Sequence, residues 1–498
     1  MNTDRGLSLA ILIVILIAFC LQALLTVPKL SATNDEAVHL AAGFSYWKTR
    51  DFRLNPEHPP LAKLVAALPL LLLDPKFNTT GENWKRAAEF QFGFDFLYHN
   101  NADRLLFWSR TMMILLAAVG LIVTFLWARD MFGIPEGLFA AAMYAFSPNL
   151  LAHGMLVTTD VPLAVFSVLA LYLFWKQKDL FAGLALGAAM ASKFSGVFLP
   201  LLIVIICIAR DGRAAIKRLL IMGSASLLVI ESAYLFSQWP TIYFRDGLIV
   251  NAKVVAGYPW YLFGEMKPGG WWYYFLVAFA VKATIPTILL SGASLLDLKK
   301  GLRDRWGEII LISGIVFYFV INSVGAMQIG FRYMVPVLPL LFVWTSRIVK
   351  SLAVSRTGIA IVTVLLVWQT WSAVDAFPNY IPYFNEFAGG TARGPSILDD
   401  SNVDWGQGVK QAAAYVLDHH LTKVNMYTFS PFDNPPYYGL PPNIPSEEAF
   451  DRLVRNRPSP GIYIISAHYV ARMKTVSRDW NEYRPVDRIG ESLLVYKF

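Results

Sequence analysis

Apolar runs recur along the first three-quarters of the chain, at residues 7–27, 105–127, 219–236, 273–290 and 358–374. Each is close to the ~20 residues that a helix needs to cross the ~30 Å hydrocarbon core of a bilayer. A soluble core does not need that length repeatedly. The first run is too long for a signal-peptide core and lacks a small-residue cleavage site, so it is read as a retained first helix.

The polar residues between the runs set the orientation. Basic residues gather around Arg129, Lys176 and Lys178, and in the stretches 210–218, 299–305 and 347–356. With Arg5 they make about fifteen Lys and Arg, against about four in the short loops of the other side, which places the amino terminus in the cytoplasm. Alternation then gives about eleven spans. One stretch is irregular: residues 180–209 must cross and return around Ser192, Lys193, Phe194, Ser195 and Gly196. Two short or tilted half-spans would achieve this.

On this topology the external side carries a long first loop, 28–104, and a second large loop, 237–272. Residues 37–49 of the first loop read as an amphipathic interfacial helix. Residues 61–73 are too short to span and read as re-entrant or interfacial. In the second loop Tyr258, Trp260, Tyr261 and Trp271 to Tyr274 suit headgroup anchoring better than sugar stacking. The pattern changes beyond residue 375, with helix signals at 408–419 and 446–456, strand signals at 423–428, 461–466 and 492–496, and proline-rich connections. The expected architecture is a mainly α, polytopic transmembrane bundle over 1–374, followed by a small extracytoplasmic α/β domain over 375–498.

Composition agrees. The 498 residues are 56% apolar and 16% charged, well below the ~25% charge of a soluble chain. The net charge of +8 could suggest nucleic acid, but the placement of the basic tracts is explained by orientation, and no nucleic-acid partner is expected. The two cysteines, Cys20 and Cys207, fall inside predicted spans and suggest neither disulfide nor metal cluster.

Four polar clusters fall on the external side: Asn34, Asp35 and Glu36 with His39; Glu57, His58, Pro59 and Pro60 with Lys63; Thr158, Thr159 and Asp160; and Lys193 with Arg332 and Tyr333. A carboxylate such as Asp35 can act as general base, while helix capping explains the same acids structurally. His58 can bond a phosphate or hydroxyl, or join His39 and the acids around a divalent metal, although no zinc-type spacing is present. Asp160, before Val161 and Pro162, suits a helix start. Lys193 and Arg332 at membrane ends are explained by snorkelling or by an anionic lipid headgroup.

The motifs DEAVH (35–39), HPPLAK (58–63), TTDVP (158–162), SKFSG (192–196) and FRYMVPVLPLL (331–341) resemble those of integral-membrane glycosyltransferases that use a polyprenyl-phosphate sugar. This is the GT-C superfamily, which includes the protein O-mannosyltransferases of glycosyltransferase family 39 and the lipid A aminoarabinose transferases. YFNEFAGG (383–390) and DSNVDWGQG (400–408) resemble the bacterial O-mannosyltransferase-like members most, and the likeness fades past about residue 410.

The resemblance implies an inverting sugar transfer at the extracytoplasmic face of a bacterial inner membrane, with Asp35 as base and Glu36 supporting it or binding the sugar. Lys193 and Arg332 would face the lipid-linked phosphate, with Tyr333 beside them, and His58, Lys63 and Asp160 would lie near acceptor or sugar. Asp404 and Trp405 would reach back toward the acceptor, unless Asp404 caps the helix near Gly408. The acceptor is left open among a protein hydroxyl, a lipid and a glycan. Two other classes stay in view: a transporter or flippase for a lipid-linked or anionic substrate, to which Glu231 and Lys282 would be clues, and a sensor or scaffold.

Overall fold

The computed structural model describes residues 2–237, 242–243, 245–247, 259–325, 327–443 and 447–498. Among these, five helical stretches are long and apolar enough to cross a bilayer: Gly6–Lys29, Ala102–Phe132, Phe194–Ala233, Arg305–Gly325 and Arg356–Asp375. Asp160–Trp175 and Asp179–Ser192 are shorter apolar helices between them. Over 180–209, where the sequence suggests two half-spans, lie the helices Asp179–Ser192 and Leu199–Asp211, joined by the turn Phe194–Phe198.

The run 273–290, read as one span, is bent. Helices Tyr274–Lys282 and Ile285–Lys300 meet at 115°. Pro286 lies in the first turn of the second segment, and the Thr284 side chain accepts from its Thr287 N–H. Such a break frees backbone carbonyls, which need donors where there is no water. Asn385 Nδ2 donates to the carbonyls of Ala280 and Ala283, each at 2.7 Å, and Asn149 Nδ2 to that of Lys282 at 2.7 Å. Lys282 Nζ donates to the carbonyls of Ile381 at 2.7 Å and Asn402 at 2.8 Å. Lys282, a clue to transport in the sequence, thus ties the bend to the tail.

The first loop departs from expectation in one respect. Residues 36–46 of the helix Glu36–Thr49 are buried all round, so it does not lie amphipathically on the interface. Its alanines and Gly43 make a thin rod that other elements can approach closely. A Cβ on Gly43 would come within 2.1 Å of the Lys63 carbonyl oxygen. Phe44, Phe77, Trp84, Phe92 and Phe96 fill the space beside it with edge-on and tilted ring contacts. The apolar stretch after His58 forms two short helices, Leu61–Ala67 and Leu70–Leu73, with Pro69 directly before the second.

In the tail, helix Val409–Asp418 and strands Asn425–Tyr427, Ile462–Ser466 and Leu493–Lys497 fall where the sequence places them, as does helix Glu447–Arg455, apart from Ser446, which lies outside the described residues. Helix Ala467–Val476 and strand Asp487–Ile489 were not anticipated. The four strands form one sheet. Ile462–Ser466 pairs in parallel with Asn425–Tyr427 and antiparallel with Leu493–Lys497, whose other edge takes Asp487–Ile489. Trp405, Tyr463, Ile465, Trp480 and Tyr496 belong to the same continuous buried cluster as the apolar helices, so the tail is packed onto the bundle.

The second loop also meets the tail. Pro259–Leu262 and Glu265–Pro268 form a hairpin; Trp260 and Tyr261 are buried, and Tyr261 donates to the carbonyl of Pro395 at 2.9 Å. These rings serve packing instead of the anticipated headgroup anchoring, whereas Trp272 is 71% exposed and suits an interface. Tyr258 lies outside the described residues.

Candidate active site

The chain leaving the first helix must turn sharply into the helix Glu36–Thr49, and Glu36 fixes that turn. Its Oε2 accepts from the backbone N–H of Thr33 at 2.8 Å and from Thr33 Oγ1 at 3.1 Å. Both oxygens are gripped by Arg110, Nε to Oε1 at 2.9 Å and Nη2 to Oε2 at 2.6 Å. Oε1 also takes the N–H of Val157 at 3.0 Å. Neither side chain has any exposed surface. Burial alone would raise the Glu36 carboxyl, but the Arg110 charge and these donors hold it below its usual range. Arg110 spends its remaining N–H groups on the carbonyls of Val27, Leu30 and Ser31. Glu36, expected to share the chemistry, is therefore the core of a locked structural pair.

Asp35, one residue earlier, points to a different set of partners. Its Oδ2 accepts from Arg332 Nη1 at 3.0 Å, and its side chain keeps 21% of its surface exposed. Arg332 also lies 3.9 Å from Asp160 Oδ2. Asp160 Oδ1 takes Lys193 Nζ at 2.5 Å, and that ammonium stands 4.1 Å over the Tyr333 ring. Asp160 begins the helix Asp160–Trp175, where acids suit the helix dipole, but its side chain makes no cap. Lys193 follows the last residue of Asp179–Ser192, and Arg332 sits in the short turn Phe331–Met334 before Val337–Thr345. Four separate elements thus deliver a ring of two carboxylates and two cations, as the sequence clusters suggested.

Two polar atoms in this ring have no hydrogen-bond partner among the described residues: Arg332 Nε and Asp160 Oδ2. A buried N–H of a guanidinium without an acceptor is costly. It is a ready site for an oxygen anion. The small cleft beside it is lined by Asp160, Lys193, Ser195, Asn322, Arg332 and Tyr333. A larger surface hollow, about 570 Å³, lies away from this ring, among Arg50, Asp51, Arg53, Lys85 and Arg86. It is open, and its one lining carboxylate, Asp51, is paired with Arg53.

The motif at 400–408 forms the roof. The Trp405 ring lies 4.2 Å from the Arg332 guanidinium carbon, and the Trp405 carbonyl accepts from the N–H of Asn34 at 2.9 Å. Ser31 donates through its N–H to the Gln407 carbonyl at 3.1 Å and through Oγ to that of Gly406 at 2.8 Å. Asn402 Oδ1 accepts from the N–H of Phe331 at 2.9 Å. Asp404 does not cap the following helix: it accepts from the Gly406 N–H at 3.0 Å and from Ser466 Oγ at 2.5 Å. Burial pushes its carboxyl up to about 6.

The histidines and Lys63 stand on the loop side. His39 Nδ1 donates to the Val157 carbonyl at 2.8 Å, which leaves Nε2 without the proton. The rings of His39 and His58 meet edge to face with centroids 5.6 Å apart. Burial, then His39 and nearby cations, holds the His58 imidazole well below its ordinary value. Lys63, expected to touch substrate, is turned inward instead. Its Nζ donates to Tyr46 Oη, to the carbonyls of Asn55 and His58, and to Asn55 Oδ1, at 2.7–3.2 Å. Burial pushes this ammonium down to about 7. Among the described residues no group of three or more His, Cys, Asp and Glu side chains could hold a metal ion.

Sequence reasoning missed Arg110, Ser430 and Asn385. A lone arginine inside an apolar run was a signal for the first. Asn385 lies inside the motif YFNEFAGG (383–390), whose role the sequence left open, and nothing local marks the long-range bond of Ser430.

Residues 103–230 match the family model described as dolichyl-phosphate-mannose-protein mannosyltransferase. That stretch holds Arg110, Asp160 and Lys193 but not Asp35 or Arg332. No curated protein sequence matches the chain. Among solved structures, ArnT from Cupriavidus metallidurans bound to undecaprenyl phosphate is similar with a TM-score of 0.52 and 15% identity, over 99% of this chain and 98% of that one. Its apo state gives a TM-score of 0.53 at 15% identity. AglB, the oligosaccharyltransferase of Archaeoglobus fulgidus in complex with an inhibitory peptide and a dolichol-phosphate, gives 0.51 and 10% identity over 97% of this chain and 73% of that one. The resemblance read from the motifs is borne out: the chain has the fold of these membrane proteins along nearly its whole length.

Proposed function

We propose that the chain is a glycosyltransferase that moves a sugar from a polyprenyl-phosphate donor to an acceptor on the extracytoplasmic face, with inversion at C1. The observation that carries this reading is the buried Arg332, whose Nε lacks an acceptor, set between Asp35 and Asp160 with Lys193 on the far side. The pairing of cations with a partly exposed carboxylate suits displacement of a phosphate by a hydroxyl. ArnT bound to undecaprenyl phosphate and AglB with a dolichol-phosphate support a lipid phosphate as the donor's anchor.

In this reading the donor phosphate meets Arg332 and Lys193, which stabilise the charge that grows as the C1–O bond breaks. Asp35 receives the proton of the attacking hydroxyl while the new C1–O bond forms on the opposite face, so the configuration inverts. The phosphate leaves as polyprenyl phosphate. Asp160 positions Lys193 and Arg332; Tyr333 and Trp405 flank the two cations; His58 stands toward sugar or acceptor. Glu36 holds the loop that presents Asp35, and Lys63 braces that loop from within.

The bilayer is the inner membrane of a bacterium, with about eleven crossings once shorter and broken helices are counted, a boundary near residue 375, and the tail outside. One of the two residues that favoured a transporter has a structural duty: Lys282 is consumed by two carbonyls at the helix bend. The test is turnover of a panel of labelled polyprenyl-phosphate sugars by the purified protein in nanodiscs with membrane extract as acceptor. Label should leave the carrier. Uptake into vesicles without covalent product would favour transport instead.

A further inference from the structure

The tail does more than roof the site. Ser430, 3% exposed and nearly 400 residues from the first loop, donates from Oγ to Asn34 Oδ1 at 2.5 Å. Asn34 Nδ2 in turn donates to Asp35 Oδ1 at 3.1 Å. Because Arg332 holds Oδ2 at 3.0 Å, each oxygen of the Asp35 carboxylate is met by a donor. We propose that Ser430 and Asn34 form a positioning relay that sets the orientation of the Asp35 carboxylate for proton transfer, an inference that rests on the transferase reading above.

The chemistry of the amide makes the serine informative. An asparagine side chain can be turned over, exchanging its carbonyl oxygen and its NH₂ group. Turned the wrong way, it would present an oxygen to the carboxylate. A hydroxyl donating to Oδ1 favours the other orientation, with the NH₂ group facing Asp35. Ser430 is itself held for this task. Its N–H donates to Asp433 Oδ2 at 3.0 Å, its Oγ accepts from the Phe432 N–H at 3.2 Å, and its carbonyl accepts from Asn443 Nδ2 at 2.8 Å. With Phe432 served by one of its two lone pairs, the hydroxyl spends its single proton on Asn34. The backbone N–H of Asn34 is tied to the Trp405 carbonyl at 2.9 Å, so the residue is gripped by the tail at both ends. A base that must meet a hydroxyl at one angle gains rate from such fixing, because misplacement by about 1 Å can cost a factor of ~100.

The tail could instead be a mere tether, and the experiment separates the two. Ser430→Ala, Ser430→Thr and Asn34→Ala are assayed as full chains in nanodiscs for kcat, KM of the polyprenyl-phosphate sugar and thermal midpoint. The relay predicts a kcat lowered 10- to 100-fold in Ser430→Ala and Asn34→Ala with KM changed less than twofold, and recovery to within about fivefold in Ser430→Thr, which restores the hydroxyl. Unchanged kcat in a folded Ser430→Ala, or a loss that follows the thermal midpoint and is not rescued by threonine, overturns it. A cycle of Ser430→Ala and Asp35→Asn on the thermal midpoint needs no turnover: coupled shifts are expected, and additive ones remove the relay even if no donor is consumed. A wild type that consumes no donor while the cycle is coupled would sink the transferase reading and leave the geometry standing.

Discussion

Arg332 donates from Nη1 to Asp35 Oδ2 at 3.0 Å across 297 residues of sequence, and it does so while its Nε has no partner. The guanidinium is thus held in place by a hydrogen bond to Asp35 and the nearby charge of Asp160, and keeps its Nε edge for an incoming anion.

Asp35→Asn should abolish turnover without loss of folded protein or of donor binding, because the amide keeps the shape but cannot take a proton. Arg332→Lys should lower kcat about 100-fold, since an ammonium cannot serve Asp35 and a phosphate oxygen from one planar fork or stack on Trp405 in the same way. Single-turnover transfer and donor binding measured side by side check both; an active Asp35→Asn removes the base assignment.

The neighbouring carboxylate should behave oppositely. Glu36→Gln leaves the Arg110 charge buried without its counter-ion, and breaking such a pair costs about 3–5 kcal/mol. The expected result is a large drop in thermal midpoint or loss of expression, in contrast to Asp35→Asn. A Glu36→Gln protein of wild-type stability would show that the pair is not what fixes the loop.

This contrast marks what a sequence can and cannot disclose. Apolar period and charge bias located the long helices and brought Asp35, Asp160, Lys193 and Arg332 to one end of the bundle, because lipid imposes its constraints on every span alike. Asp35 and Glu36 were inseparable in the sequence, since both are acids at a helix start. What divides them is Arg110, 74 residues from Glu36, and Arg332, 297 from Asp35. The bend after Lys282 had a local signal in Pro286, but hydropathy alone reads an apolar run the same whether straight or broken. The donors that make the break tolerable, Asn149 and Asn385, lie more than 100 residues away.

Asn385→Ala tests that bend. It strips donors from the carbonyls of Ala280 and Ala283 and leaves them buried, at about 1–3 kcal/mol for each unsatisfied group. The thermal midpoint in detergent should fall accordingly, and Asn385→Asp, which cannot donate from that position when ionised, should not restore it. Rescue by aspartate at neutral pH would mean that the side chain acts other than as a donor.

The last prediction concerns pH and the carboxyl pair behind the roof. Burial pushes Asp404 up to about 6, and burial together with the Asp404 charge pushes Asp433 up to about 7. In the unfolded chain both ionise near the ordinary aspartate value of about 4. Ionisation is therefore harder in the folded state, and the stability these groups contribute is complete below about pH 4 and is lost as pH rises through about 6 and about 7. The thermal midpoint should fall between pH 5 and pH 8 on their account. Asp433→Asn, neutral throughout, should flatten most of that slope and raise the midpoint at pH 8. Asp433 also receives the Ser430 N–H that anchors the contact to Asn34, so the asparagine must keep its oxygen toward that N–H for activity to persist. Midpoints at four pH values for wild type and Asp433→Asn decide the matter: equal slopes in the two proteins would mean that the pair is ionised in the folded state at no cost.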